Sequence, residues 1–209
     1  SIDVAKKISC KMKEDTIFID LTTSTSKMKS ESEEIITSKK GIYVDGAIMG
    51  TVVIDKNRVP LLIAGNNAEE IKTELESLGF KPQTINQPNG GAASIKMLRS
   101  IFMKGLEALI LETMITAKQY EVSEEVLNSI SKTIDNSSFT DFVNALITTH
   151  VIHKNRRHKE VTDGLNLIQD IEGPSFVTEG VISFFLHSTR KEMSESNNID
   201  QILEEYYLK

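Results

Sequence analysis

Two textures of hydrophobic pattern divide this 209-residue chain near residue 87. Before that point, short apolar runs alternate with stretches whose apolar positions recur every three to four residues. The runs IFID (17–20), GIYVDGAIM (41–49), VPLLIAG (59–65) and KPQTIN (81–86) are β-branched or bulky, are bounded by Gly, Asn or Pro, and read as strands. Residues 26–39 and 67–78 read as helices. In the last of these, Ala68, Ile71, Leu75 and Leu78 fall at helical spacing and Gly79 follows as a stop signal. Strands alternating with helices predict an α/β sheet built of crossover units.

From Gly90 onward the helical period takes over. Ile95, Leu98, Ile101, Phe102, Leu106, Leu109, Ile110 and Met114 give one long helix a broad apolar face, which predicts a central helix buried on most sides. Further helices are expected over 123–134, 138–170, 175–192 and 200–207, with Gly173-Pro174 as the clearest break.

Composition narrows the setting. Hydrophobic residues at 39% support a packed core, and a net charge of −6 excludes the basic face that a nucleic-acid binder needs. Cys10 is the single cysteine, so no internal disulfide forms and a reducing cytoplasm is expected. No apolar run reaches the length of a membrane span, and no signal peptide opens the chain.

The candidate chemistry centres on NGGAASIKMLRSIFMKG, residues 89–105. Gly90 and Gly91 allow close backbone approach to a ligand, and the amides of the helix start favour an anion. Lys96 stands in the first turns of an otherwise apolar helix, with Arg99 one turn on. Burial and a neighbouring cation both push a lysine toward the neutral form that a general base needs. Spacing alone favours a surface lysine on an amphipathic helix, with Arg99, Ser100, Met103 and Glu107 as a solvated stripe. The hydroxyl-rich TTSTS (22–26) follows a strand end, where open α/β sheets bind ligands, and it also suits an N-cap cluster for the next helix.

In order and spacing these pieces resemble the 6-phosphogluconate/β-hydroxyacid dehydrogenase superfamily over residues 17–125. The parts that match are the strand ending in Asp20 with its Ser/Thr loop, the aspartate-led VDGAIMG (44–50), the strand–helix–strand that follows, and the Gly-rich turn before Lys96. KMLRSIFMKGLEAL is the segment most similar to NAD(P)-dependent oxidoreductases with a 6-phosphogluconate-dehydrogenase-like C-terminal domain. The resemblance implies a partial Rossmann-type α/β domain over 1–87 and an all-α substrate and dimerisation domain over 88–209. It implies hydride transfer between NAD or NADP and a small hydroxy acid, phosphorylated or not, with Lys96 as general acid/base. It also places Thr22, Thr23 and Ser24 at the cofactor, Gly90, Gly91, Arg99 and Ser100 at the substrate, and a homodimer through the helical domain.

The chain departs from that pattern in four ways. Arg99 and Ser100 stand where relatives carry an asparagine, and Met49 stands where a loop serine is common. Met103 replaces the glutamate of true 6-phosphogluconate dehydrogenases. No G-x-G-x-x-G is present, so the nucleotide-fingerprint half is expected to lie upstream of Ser1, in a longer protein or in an ancestor of a natural truncation.

The segment HVIHKNRRHKE holds His150, His153 and His158 with Arg156 and Arg157. His150 and His153 have one-turn spacing, but no third metal ligand is well spaced, so no metal is expected. The segment reads as a basic solvated face. By the resemblance, Arg156 and Arg157 are candidate anion-binding residues, and His187 reads as a packed or rim histidine. Three functions stay open: the dehydrogenase, a non-catalytic dimerisation module whose α/β half is a remnant, and a sensor binding a phosphorylated metabolite at Arg99 and Arg156.

Overall fold

In the computed structural model, which describes residues 2–208, four strands form one sheet: β1 (Ile17–Asp20), β2 (Ile42–Ile48), β3 (Leu61–Ala64) and β4 (Pro82–Thr84). They lie in the order β1-β2-β3-β4. β1 and β2 are parallel, with Asp20 opposite Asp45, and β3 and β4 are parallel as well. Helices α2 (Ser26–Thr37) and α4 (Ala68–Ser77) make these two crossovers, as the alternating pattern predicts. The central pair differs. β2 and β3 run antiparallel, with Asp45 opposite Ala64, because residues 49–60 turn back through a four-residue helix α3 (Val52–Asp55) and a 3-10 turn rather than crossing over.

Alternation along β2 feeds two cores. Val44 joins Leu61, Ile63, Ala68, Ile71 and Leu75 under α4, while Tyr43 joins Ala5 of α1 (Ile2–Ser9) and Ile36 of α2 on the other face. α4 ends as its sequence dictates. Gly79, at φ +84°, lets Phe80 N donate to Leu75 O, which closes the helix. A third cluster of small residues, Ala47, Ala64 and Ala92, lets the first turn of α5 (Gly91–Gln119) lie against the sheet.

The chain divides into two compact units, one up to Met103 and one from Lys104. The second holds the rest of α5 with α6 (Ser123–Ile134), α7 (Phe139–Gln169), α8 (Phe176–Thr189) and α9 (Ile199–Leu208). α8 and α9 both pack on α7. Every helix expected in this half is present, with ends shifted by no more than three residues.

The burial expected for α5 is not found. Residues 101–111 are all exposed, and Leu98 and Ile101 are 66% and 68% accessible. The broad apolar face is real, but Leu98, Ile101, Ile110 and Leu111 on it stay at least half accessible. Among the described residues, no helix is long and apolar enough to cross a membrane.

Candidate active site

The start of α5 is fixed by residues from three other elements. Its N-cap position, Gly90, has no side chain to satisfy the free amides of the first turn. Asp45, in the middle of β2, does this instead: its Oδ2 accepts from Gly90 N at 3.0 Å and from Ala93 N at 3.1 Å. Asp45 N donates to Asn89 Oδ1 at 2.9 Å. Asn89 fills the space beside Gly65, where a Cβ would come within 2.3 Å of its Oδ1, and Gly65 is at φ +111°. Gly90 itself is at φ +98° and packs on Ser26 of α2, so only glycine fits there on both counts.

Asp45 is wholly buried, and so is the cation that pairs with it. Lys29 comes from α2, where Lys29, Ser32 and Ile36 form the inward stripe. Its Nζ lies 3.1 Å from Asp45 Oδ1 and 3.2 Å from Asp20 Oδ1, and donates to Asp20 O at 2.6 Å. Asp20 also accepts from Thr22 N, from Thr22 Oγ1 and, at 2.9 Å, from Tyr43 Oη. Burial pushes the Tyr43 phenol well above its ordinary range, and the bond to Asp20 and the carboxylates of Asp20, Asp45 and Glu33 push the same way, so this hydroxyl is a fixed donor.

Sequence reasoning singled out neither Lys29 nor its pairing with Asp45. The signal was an aspartate in the centre of an apolar strand, which needs a buried partner, and a lysine in register with Ile36 on the neighbouring helix.

The residues expected at the cofactor line the end of β1. Thr22 and Thr23 are exposed, with the Thr22 hydroxyl bound to Asp20. Thr25 caps α2 by accepting from Met28 N at 3.3 Å, so the N-cap reading of this loop holds. Ser24 differs from its neighbours: its hydroxyl is buried and has no hydrogen-bond partner among the described residues.

At the expected substrate face, Lys96 and Ser100 are half-buried and Arg99 is exposed. Gly90 and Gly91 stand at the α5 start with Ala92 and Ala93 buried behind them. The Gly90 amide already serves Asp45, so a substrate anion would meet a helix end that one carboxylate occupies. Met49 is half-buried, its amide donating to Pro60 O. A cleft of about 670 Å3 by Gly65, Glu69, Thr84 and Gln87 contains none of the residues expected to act.

In the second unit, Arg156 is exposed and pairs with Glu160 at 2.8 Å, while Arg157 donates to Thr149 Oγ1 at 2.7 Å and to Leu146 O. The segment is not solvated throughout. Lys154 is buried and donates to Lys191 O, and His150 Nε2 meets Ser188 Oγ among Phe184, Phe185 and Tyr206. His153 and His158 are half-buried, and His187 is exposed at the edge of Tyr206. No three His, Cys, Asp or Glu side chains converge as a metal site among the described residues.

No family model matches the chain. It is 29% identical over 163 residues to an uncharacterized 28.5 kDa protein from Methanothermus fervidus, a match that spans 78% of this chain and 61% of that protein. Among solved structures, a conserved protein of unknown function, described as structurally similar to 3-hydroxyacid dehydrogenases, matches 99% of this chain and 72% of its own at 23% identity and a TM-score of 0.59. An imine reductase from Myxococcus stipitatus, solved with NADP+, matches 99% of this chain and 76% of its own at 18% identity and a TM-score of 0.71. The chain therefore shares its fold, a Rossmann-type α/β part followed by an all-helical part, with that imine reductase and with a protein similar to 3-hydroxyacid dehydrogenases.

Proposed function

We propose that this chain carries the acid/base lysine of an NAD(P)-dependent oxidoreductase acting on a small hydroxy acid. The observation that carries the reading is Lys96, half-buried in the first turns of a helix whose start is clamped to a buried aspartate, on a fold shared with hydroxyacid dehydrogenases and imine reductases. Bound nicotinamide supplies or accepts the hydride. Lys96 Nζ takes the hydroxyl proton when the alcohol is oxidised and returns it on reduction. Arg99, exposed one turn on, would bind the substrate carboxylate or phosphate with its guanidinium. Ser100 would border the same face, and Gly90 and Gly91 would let backbone approach the substrate.

The loop after β1 fits a cofactor. The buried, unpartnered hydroxyl of Ser24 lies where open α/β sheets take their ligands, and Thr22 and Thr23 flank it. The chain contains no G-x-G-x-x-G, so the reading requires such a turn from sequence outside residues 1–209. The test is a protein extended through the upstream coding sequence. Lys96→Ala should lower kcat for hydroxy-acid oxidation by roughly 10²-fold or more while nucleotide binding persists. Equal turnover without Lys96 overturns the mechanism.

A second reading concerns assembly. We infer that α5 pairs with a second copy of this chain, because its apolar residues are exposed over 101–111 and Gly105 leaves open space on the same helix for a close neighbour. This homodimer would be compatible with either an enzyme or a non-catalytic module. Titrating the chain with NADH and NADPH separates these: micromolar binding favours the enzyme.

A further inference from the structure

Asn89 and Gly90 form the dipeptide that loses its side-chain amide most readily, because glycine has no side chain to shield its nitrogen from the asparagine before it. Neither residue is free to change. Gly90 sits at φ +98° against Ser26, where only glycine fits. Asn89 accepts from Asp45 N and fills the space beside Gly65. An aspartate in its place would add a carboxylate beside a group that already has two against one ammonium. The fold therefore requires a labile pair at the start of α5.

The same buried aspartate guards that pair. Cyclisation needs the Asn89 carboxamide turned onto Gly90 N, and that nitrogen stripped of its proton. Asp45 holds both groups: its N donates to Asn89 Oδ1 at 2.9 Å, and its Oδ2 accepts from Gly90 N at 3.0 Å. Asn89 is only 6% accessible, so the water that completes the reaction is kept away as well. Asp45 is wholly buried and braced by Lys29, so the guard loosens only when the α5 start opens.

We propose that Asn89–Gly90 is a latent self-modification site, silent while Asp45 holds it and triggered by local opening of the α5 start. In the open state Gly90 N attacks Asn89 Cγ. The Gly90 N–Asn89 Cγ bond forms, the Asn89 Cγ–Nδ2 bond breaks, and Nδ2 leaves as ammonia with the proton from Gly90 N. Water then opens the ring and returns a proton to Gly90 N. Opening at Cγ leaves aspartate at 89. Opening at the backbone carbonyl carbon leaves isoaspartate, whose main chain runs through Cγ. Either product hinders re-closure: aspartate adds a negative charge beside Asp45, and isoaspartate inserts one carbon between the α-carbon of Asn89 and Gly90 N. Opening of the turn that leads to Lys96 thereby becomes irreversible, whatever reaction that lysine serves.

Asn136–Ser137, exposed after α6, is the internal standard: serine shields its nitrogen more than glycine does, so in an open chain Asn136 reacts more slowly than Asn89. The chain is incubated in mildly alkaline buffer, folded or in urea, and peptide mass spectrometry follows isoaspartate at both sites. In urea Asn89 should convert first; if it lags there, the pair is not labile and the proposal falls. In the folded chain the order should invert, with Asn89 slower than Asn136 by roughly tenfold or more, since two hydrogen bonds must break before it reacts. Folded Asp45→Ala should restore Asn89 to the lead and leave Asn136 unchanged. Asn89 ahead of Asn136 in the folded unaltered chain overturns the proposal, and so does a slow Asn89 in folded Asp45→Ala. Should Asp45→Ala fail to fold by circular dichroism, the unaltered chain decides in urea below its unfolding midpoint. There Asn89 conversion and Gly90 amide exchange should rise together, and free Gly90 exchange without faster conversion overturns the proposal.

Discussion

Lys29 and Asp45 meet at 3.1 Å with neither side chain accessible, joining α2 to the centre of β2 and, through Asp45 Oδ2, to the start of α5. Contrast Lys40 and Glu14, which are closer at 2.7 Å but largely exposed. Distance alone would rank the surface pair first. Burial reverses the order, because a charge stranded in the interior keeps its desolvation cost while a surface charge is re-solvated.

Removing one partner from each pair tests that order. Asp45→Ala is expected to destabilise the protein by about 3–5 kcal/mol, since Lys29 loses a counter-ion and two helix amides lose their acceptor. Glu14→Ala is expected to cost no more than about 0.5 kcal/mol. Urea unfolding followed by circular dichroism measures both, and similar values would contradict the ranking.

How much of this was legible in the sequence depends on periodicity. The four strands and most helices announced themselves because one face of each is apolar at a fixed period, and α6 was placed at its observed ends, Ser123–Ile134. The antiparallel turn from β2 to β3 was not, since an apolar run carries no direction. Lys29 was hidden in the polar run SKMKSESEE, where only its register with Ile36 marks it as inward. Exposure of α5 was equally hidden: a wide apolar face says that something covers it, not whether the cover belongs to the same chain.

A second distant cap gives a prediction in the helical unit. Ser175 makes no side-chain cap for α8, and Glu112 of α5 supplies one. Its carboxylate accepts from Val177 N at 2.9 Å, Thr178 N at 2.8 Å and Thr178 Oγ1 at 2.6 Å. Desolvation alone would raise its pKa, but the bonds from Thr178 and Val177 outweigh that and hold the carboxyl below its ordinary value of 4.5. A lowered acid pKa means that the contribution is complete above 4.5 and is lost as pH falls through the folded value. Glu112→Ala should destabilise by about 2 kcal/mol at neutral pH, and the difference from the unaltered protein should shrink below pH 4. Urea midpoints at pH 7 and pH 3.5 check it.

His150 should titrate in the opposite setting. Burial first, then the charges of Arg157 and Lys154, hold its imidazole below the ordinary 6.5. It faces Ser188, Phe184 and Phe185 of α8 and Tyr206 of α9, and Lys191 also lies over the Tyr206 ring. With the folded pKa depressed, the unfolded chain binds the proton first as pH drops below 6.5. Its contribution is therefore whole above 6.5 and declines from there down to the folded value. Denaturant midpoints between pH 7.5 and 5 should fall less steeply in His150→Gln than in the unaltered protein. An equal slope would place the titration elsewhere.

The exposed face of α5 yields the sharpest oligomer test. Leu98, Ile101, Ile110 and Leu111 are each at least half accessible, and a helix interior glycine at 105 costs about 1 kcal/mol against alanine unless something approaches it. If the chain were a monomer, Ile101→Glu and Ile110→Glu would replace solvated apolar groups with solvated charges and change stability by no more than about 0.5 kcal/mol. In a dimer each copy buries those positions, so the pair of substitutions places four carboxylates in an apolar interface. Light scattering behind size exclusion should then give twice the chain mass for the unaltered protein at micromolar concentration and the single-chain mass for the double variant. A monomer in both, with unchanged urea midpoints, would leave α5 uncovered by a second copy and remove the dimer from the reading.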